Sequence, residues 1–353
     1  MAVHVRCGGW GAILASLVTC GLAARADNNS EIEAMRGRRY LVGTLGSQAV
    51  QMDLTLQGEL ALGTYFEEAT GTAFDLSDGR LQPDGTLTIK QRQGADPPTG
   101  TFRGAWRPAE GRYAGEWTSA DGARRLPFAL AVVADYAVLR AEETVNRPYP
   151  RPLTVEAAYP LLVSDEAGTV NDVVRRTVGE FCTGFMRDEM QQAPLDGATS
   201  EHSLSVAYSL VYYAPDLVSV LGQHWDYTGG AHDNGGFQTL NLAVREGKAT
   251  ELRLADLFRP GSDYLRRLSD RCVGFLRQAE ASDVVAGRKT AFDEQDLGAF
   301  TIGPKGIAFY FAPYEVGCFA EGDYQVTVPY ADMAPVIDPQ GPLGRFLAPA
   351  GGL

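Results

Sequence analysis

The stretch Gly100–Trp117, GTFRGAWRPAEGRYAGEW, contains the pattern Gly-x-aromatic-x-Gly-x-Trp twice, with a polar turn at Arg107–Glu110 between the copies. Two short runs of this kind joined by a turn are typical of a β-hairpin. Because side chains alternate between the faces of a strand, both aromatic residues of each copy lie on one face. The stretch therefore predicts a hairpin in which glycine lets a neighbouring ring lie across the backbone.

Similar strand-like runs occur from about Arg39 to Val133, and none of them sustains a helical spacing of apolar residues. Short strands separated by glycine-containing turns indicate an all-β meander, folded as a barrel or a sandwich. The hairpin aromatics could form a sugar-stacking surface, but core or cross-strand packing is the commoner role of paired aromatic residues. The runs are YLVGTLGS, VQMDLTLQGEL, LGTYFEE, TAFDLSDGRL and GTLTIKQ.

The second half of the chain mixes strand and helical spacing. A strand at Thr154–Val163 precedes a helix whose apolar residues recur at i, i+3 and i+4 from Val170 to Met186. This order predicts an α+β domain whose helices pack on one face of an antiparallel sheet. The further elements are strands at about Leu204–Tyr212, Leu217–Tyr227 and Phe237–Val244, a helix at about Leu265–Leu276, and closing strands TIGPKGIAFYF and YQVTVPY.

The N-terminus has the pattern of a secretion signal. Arg6 precedes the apolar run WGAILASLVTCGLA, and cleavage is expected after Ala26. A lipid anchor through Cys20 is the alternative. No later run approaches the ~20 apolar residues that a membrane span needs. The sequence therefore predicts a periplasmic or otherwise extracytoplasmic protein.

These patterns divide the 353 residues into a signal peptide (1–26), a β-meander domain (27–144), a proline-rich linker (145–152), an α+β domain (153–340) and a tail (341–353). Removing the two arginines of the signal changes the net charge from −13 to −15. An acidic surface disfavours nucleic acid and anionic lipid and favours a basic partner. The cysteines after the signal, Cys182, Cys272 and Cys318, allow at most one internal disulfide and match no metal-binding spacing.

Three motifs occur in order in the second half: YTGGAH at Tyr227–His232, LADLF at Leu254–Phe258, and GIAFYFAPYEVGCFAEGDYQVTVPYADM at Gly306–Met333. With them, residues 153–337 resemble the extracytoplasmic domain shared by the anti-sigma factor RsiV and the peptidoglycan deacetylase PdaC. The resemblance implies an α+β envelope domain that is not itself known as a catalyst. In RsiV this domain is the receptor for lysozyme, and in PdaC it accompanies a separate deacetylase domain.

The stretch QHWDYTGGAHDN at Gln223–Asn234 allows two pairings of its flanking strands. A two-residue turn at Gly229-Gly230, the commoner form, places Asp226 opposite Asp233 and the two histidines on opposite faces. A three-residue loop shifts the pairing by one residue. Only the shifted pairing puts His224, Asp226 and His232 on one face, where they would match the ligands of a zinc site.

The favoured pairing leaves Trp225, Tyr227 and His232 as an aromatic patch that binds a partner or packs internally. Tyr314 and Glu315 are further candidates for ligand binding, and His202 is expected to be a solvated residue where a strand begins. The sequence has no G-x-S-x-G, P-loop or H-E-x-x-H motif. Together with the resemblance, which implies a lysozyme-like protein or peptidoglycan as the ligand, this leads us to expect an exported, non-catalytic, cofactor-free binding protein. A metal-assisted hydrolase acting on cell-wall material is the alternative.

Overall fold

A computed structural model describes Ile32 and residues 34–145, 151–164, 167–191 and 201–347. These residues form two compact units. The barrel unit contains the described part of Cys20–Val138 together with Pro160–Asn171, and the α+β unit contains that of Leu139–Tyr159 and Asp172–Leu353. The predicted signal peptide with Cys20, the centre of the predicted linker (146–150) and the end of the predicted tail (348–353) lie outside the described residues.

The barrel unit is an antiparallel meander in which each strand pairs with the next. Strand β1 also pairs with β8, and this pairing closes the barrel. Between the two all-β forms expected from the sequence, the barrel is therefore the one adopted. Its strands are β1 (Arg38–Leu45), β2 (Gln48–Gln57), β3 (Leu60–Glu67), β4 (Ala73–Leu81), β5 (Thr86–Arg92), β6 (Gly100–Arg107), β7 (Arg112–Ser119) and β8 (Arg125–Val145), of which the residues from Leu139 onward belong to the α+β unit.

Strands β6 and β7 form the predicted hairpin, with Phe102 opposite Trp117 and Trp106 opposite Tyr113. All four aromatic side chains are buried in the barrel core. A Cβ atom on Gly100 would lie 2.4 Å from the indole nitrogen of Trp117, so only glycine lets that ring cross the strand. Core packing, the commoner of the two expected roles, is confirmed for these rings.

The α+β unit contains two sheets. In the first, β9 pairs with β10 in parallel, and the remaining neighbours are antiparallel. The first sheet comprises β9 (Arg151–Leu162), β10 (His202–Ala214), β11 (Leu217–Tyr227), β12 (Asn234–Arg245) and β13 (Lys248–Glu251); the second comprises β14 (Phe300–Gly303), β15 (Gly306–Phe311) and β16 (Tyr324–Val328). The α-helices are α1 (Gly168–Gln191), α2 (Tyr264–Gln278), α3 (Ser282–Val285) and α4 (Tyr330–Met333).

Different layers cover the two faces of the first sheet. On one face, Phe181 of α1 lies 5.1 Å from the ring of His224. On the other face, Asn241 donates a hydrogen bond of 2.8 Å to the carbonyl of Phe300 in the second sheet. The predicted α+β class is broadly supported, although strands predominate, β9 pairs with β10 in parallel, and the closing strands form a second sheet. Buried polar side chains such as Ser219 and Asn241 join the two sheets. The sequence does not reveal this junction, because a polar residue in a strand pattern is normally interpreted as facing solvent.

The three described cysteines are all free. Cys182 and Cys272 are buried, and burial raises the pKa of the Cys182 thiol to about 11 and that of Cys272 to about 12. Cys318 is exposed. Among the described residues, no helix is both long enough and apolar enough to cross a bilayer.

Candidate functional site

The pairing of β11 with β12 settles the geometry around Gly229-Gly230. Asp226 lies opposite Asn234 and His224 opposite Gly236, so the predicted two-residue turn is wrong. The pairing is that of the three-residue loop, but it ends at Asp226, and residues 228–233 form an irregular loop.

Packing of rings on glycine explains the observed register. A Cβ atom at Gly235 would lie 2.5 Å from the Trp225 ring, and one at Gly236 would lie 2.5 Å from the His224 ring. The register of the two-residue turn would have placed His224 opposite Gly235 and left Trp225 without a glycine. The pair Gly235-Gly236 was therefore a signal in the sequence for the correct register.

The predicted metal ligands are not brought together. His224 Nε2 lies 3.9 Å from Asp226 Oδ1. The His232 ring stacks on Phe319, with ring centroids 3.9 Å apart, and its Nδ1 lies 2.8 Å from the carbonyl oxygen of Asp233. No group of three potential ligands in the described part of the chain is arranged to hold a metal ion. The ligand geometry that the metal-site alternative requires is therefore not formed by His224, Asp226 and His232.

His224 and Asp226 are instead a half-buried pair beneath α1. Burial lowers the pKa of His224, and the nearby Asp226 carboxylate opposes that shift. Burial raises the pKa of Asp226, although the charge of His224 and a hydrogen bond with Asn234 oppose it. Both shifts favour the uncharged forms, as expected for ionisable groups with reduced access to water.

We expect His224 to make the fold sensitive to mild acid. Its folded pKa lies below the unfolded value of about 6.5, so the unfolded chain takes up this proton first as the pH falls, and stability declines from there. Thermal denaturation at pH 7.5 and pH 6 would measure the decline, which should be smaller in His224→Gln. An identical decline in variant and parent would contradict this role. Asp226 has the opposite effect on stability. Its folded pKa is raised, so the folded chain takes up this proton first and stability rises as the pH falls through that pKa.

An aromatic surface, defined here as His232, Tyr314 and Phe319, joins two of the predicted binding residues. Phe319 contacts both of the others, since its ring centroid lies 3.9 Å from that of His232 and 5.8 Å from that of Tyr314. Tyr314 is 60% exposed. Phe319 was not predicted, because residues 232 and 319 are distant in sequence and only the fold brings their rings together.

The other predicted residues have different surroundings. Trp225 is exposed and lies over Gly235. Tyr227 donates a hydrogen bond of 3.1 Å from its hydroxyl to the carbonyl of Gly230, which ties down the loop. Tyr227 therefore shapes the loop that carries His232.

Tyr314 lies at a position of a turn that normally requires glycine. The backbone N–H of Glu315 donates to the carbonyl of Ala312 at 3.1 Å, and Tyr314 has a φ of 75°. With Pro313 before it, this is the pattern of a type II turn, whose third position favours glycine. A second hydrogen bond closes the same turn in the reverse direction, because the N–H of Ala312 donates to the Glu315 carboxylate at 2.9 Å. The predicted ligand-binding carboxylate of Glu315 is exposed and bridges the two ends of this turn, and partial loss of surrounding water raises its pKa.

Glu321 holds the following segment, which carries Phe319. Its carboxylate accepts hydrogen bonds from the backbone N–H groups of Ser282 and Cys318, both at 3.0 Å, and from the hydroxyl of Tyr324 at 2.8 Å. The bonds from Ser282 and Cys318 hold the pKa of Glu321 well below its usual range. The aromatic surface is thus supported by two carboxylates that bond to backbone.

A buried charged cluster, defined as Arg151, Glu189 and His202, lies beneath the loop of residues 228–233. Arg151 Nη2 lies 3.5 Å from Glu189 Oε2, and Glu189 also contacts His202 Nδ1. His202 is only 6% exposed, so the expectation of a solvated residue is wrong. A Cβ atom on Gly229 would lie 3.7 Å from His202 Nε2, which places the imidazole directly against the loop.

Comparison with known proteins locates a family in the α+β unit. Residues 255–331 match the family described as "Protein of unknown function (DUF3298)". The chain is 25% identical over 173 residues to the peptidoglycan-N-acetylmuramic acid deacetylase PdaC of Bacillus subtilis strain 168. The matched region covers 48% of this chain and 36% of that protein. It therefore spans about a third of the length of this relative. Both matches confirm the resemblance to the RsiV/PdaC-type family inferred from the three motifs.

Two crystal structures of DUF3298 family proteins are also similar. One is from Pseudomonas aeruginosa PAO1, with 16% identity, a TM-score of 0.45, and coverage of 58% of this chain and 95% of its own. The other is from Bacteroides fragilis NCTC 9343, with 18% identity, a TM-score of 0.38, and coverage of 61% and 97%.

Proposed function

We propose that this chain is an exported, non-catalytic protein of the bacterial cell envelope whose α+β unit binds a lysozyme-like protein or peptidoglycan through the aromatic surface. The observation that carries the proposal is the conformation of Tyr314. A left-handed backbone costs a residue other than glycine about 1–2 kcal/mol, and the ring of Tyr314 is 60% exposed. Burial does not offset that cost, and strained residues of this kind cluster at ligand-binding sites.

The composition of the aromatic surface favours binding over catalysis. Tyrosine is among the residues that contribute most to binding energy at protein interfaces. The stack of His232 on Phe319 and the hydrogen bonds of Glu315 and Glu321 hold the surrounding backbone before any ligand arrives. A preorganised surface loses less entropy on binding.

The proposed partners follow from charge and from the relative. Without the expected signal peptide the net charge is −15 rather than −13, which complements a basic protein of the lysozyme type and would accelerate its association at low salt. The name of the relative PdaC gives peptidoglycan as its substrate. Peptidoglycan is therefore the second ligand to test, and the envelope is the proposed location.

Calorimetry with a c-type lysozyme, and co-sedimentation with purified peptidoglycan, would test the proposal. We expect micromolar or tighter affinity for one of them, weakened about tenfold or more by Phe319→Ala, because that change removes the ring between Tyr314 and His232. Leu60→Ala removes an exposed apolar side chain from the barrel unit and should leave affinity unchanged. Absence of binding to both ligands would refute the proposal.

A further inference from the structure

A pocket of about 440 Å³ opens at one end of the barrel, and all the residues that line it belong to the barrel unit. Sites for small molecules are typically about 300–1,000 Å³ and often lie at the mouths of β-barrels. The barrel interior itself is filled by the aromatic and aliphatic core. A ligand would therefore bind at the mouth rather than inside.

One side of the pocket is apolar. Trp106, at the end of β6, lines it together with Leu56 and Val132. Trp106 also belongs to the core, so its ring is held firmly. Val163 completes this side and is 49% exposed, a large aliphatic side chain left open to water.

The polar side is built around a fixed guanidinium group. Arg39 Nη1 donates to the carbonyls of Arg36 and Arg38 at 2.8 and 2.7 Å, and Arg39 Nε lies 2.7 Å from Asp135 Oδ1. The Asp135 side chain is 51% exposed, so part of its carboxylate remains accessible to a ligand. Glu110, in the turn after β6, adds a second carboxylate to the lining.

We propose that the barrel mouth binds a neutral saccharide of one or two rings. A pyranose has a face of C–H groups and an edge of hydroxyls, and these match the apolar side and the polar side of the pocket. The Asp135 and Glu110 carboxylates accept hydrogen bonds from hydroxyls, and the Arg39 guanidinium donates to them. Arg39 is balanced by Asp135, so Glu110 leaves one excess negative charge, which disfavours an anionic ligand.

Titration of the full chain with N-acetylglucosamine and with its β-1,4-linked dimer, followed by tryptophan fluorescence and calorimetry, tests this site. We expect saturable binding below roughly 10 mM ligand. Asp135→Asn and Glu110→Gln should each weaken it at least fivefold, because each removes a charged acceptor. Asp96→Asn, in the turn between β5 and β6 and outside the pocket lining, is the matched control and should bind like the parent.

Three results would overturn the proposal: no saturable binding of either saccharide, binding that neither pocket variant weakens, or an apolar fatty acid that saturates the pocket while the saccharides do not. Circular dichroism melts of each variant separate loss of binding from loss of folding. Tyr314→Gly should still bind the saccharide, since Tyr314 is in the other unit. A failure here would therefore leave the proposal for the aromatic surface standing.

Discussion

Glu189→Ala is expected to lower the free energy of unfolding by about 3–5 kcal/mol, because it leaves the buried Arg151 guanidinium without its carboxylate. Arg151 is 3% exposed. Its guanidinium lies 3.5 Å from the Glu189 carboxylate and donates a hydrogen bond of 3.2 Å to the Glu189 backbone carbonyl. His202 would lose the same carboxylate. Equilibrium denaturation with urea would measure the change.

The neighbouring residue provides a matched control for that variant. The Asp188 side chain is 63% exposed and is paired only with Arg187 among the ion pairs of the described residues. Asp188→Ala should alter stability by no more than about 0.5 kcal/mol, as is usual for surface pairs. Equal losses in the two variants would show that the buried cluster does not stabilise the fold in the way proposed.

Tyr314→Gly should weaken binding of the envelope ligand roughly thirtyfold, or about 2 kcal/mol, while raising the free energy of unfolding by up to about 1 kcal/mol. The two effects have opposite signs because glycine relieves the left-handed backbone at φ 75° and removes a ring that is 60% exposed. Calorimetry with the ligand and urea denaturation would measure them separately.

Glu246→Gly is the matched control for this second prediction. Glu246 also has a positive φ, 51°, and lies between β12 and β13, outside the aromatic surface. It should gain similar stability and keep full affinity. If Tyr314→Gly kept full affinity as well, the aromatic surface would not be the binding site.

The hairpin and the register at the histidines show how far sequence reasoning extends. In Gly100–Trp117 the repeated pattern predicted a hairpin and a ring lying across a glycine, but the strands pair one residue further into the turn, at Arg107 and Arg112, and the Trp117 ring crosses Gly100. At His224 the register predicted from the Gly229-Gly230 turn is wrong, because the rings of Trp225 and His224 require the glycines at 235 and 236 opposite them.

The candidate site divides in the same way. His232 was predicted as a binding residue from the glycine turn beside it, and Tyr314 was named as a candidate together with its neighbour Glu315. Their common neighbour, Phe319, was not, and neither was the cluster of Arg151 with Glu189. Contacts between residues so far apart in the chain leave no periodic pattern of residue types in the sequence from which they could be predicted.

The sequence by itself determined the all-β first half, the mixed second half and the resemblance carried by the three motifs, because each depends on local spacing. Only the tertiary structure decided that the meander closes through β1 and β8, that the last strands form a separate sheet, and that His232 stacks on Phe319. Those outcomes depend on which distant surfaces pack together. The sequence cannot specify this, because the alternation of apolar and polar side chains along a strand is the same whichever strand it pairs with.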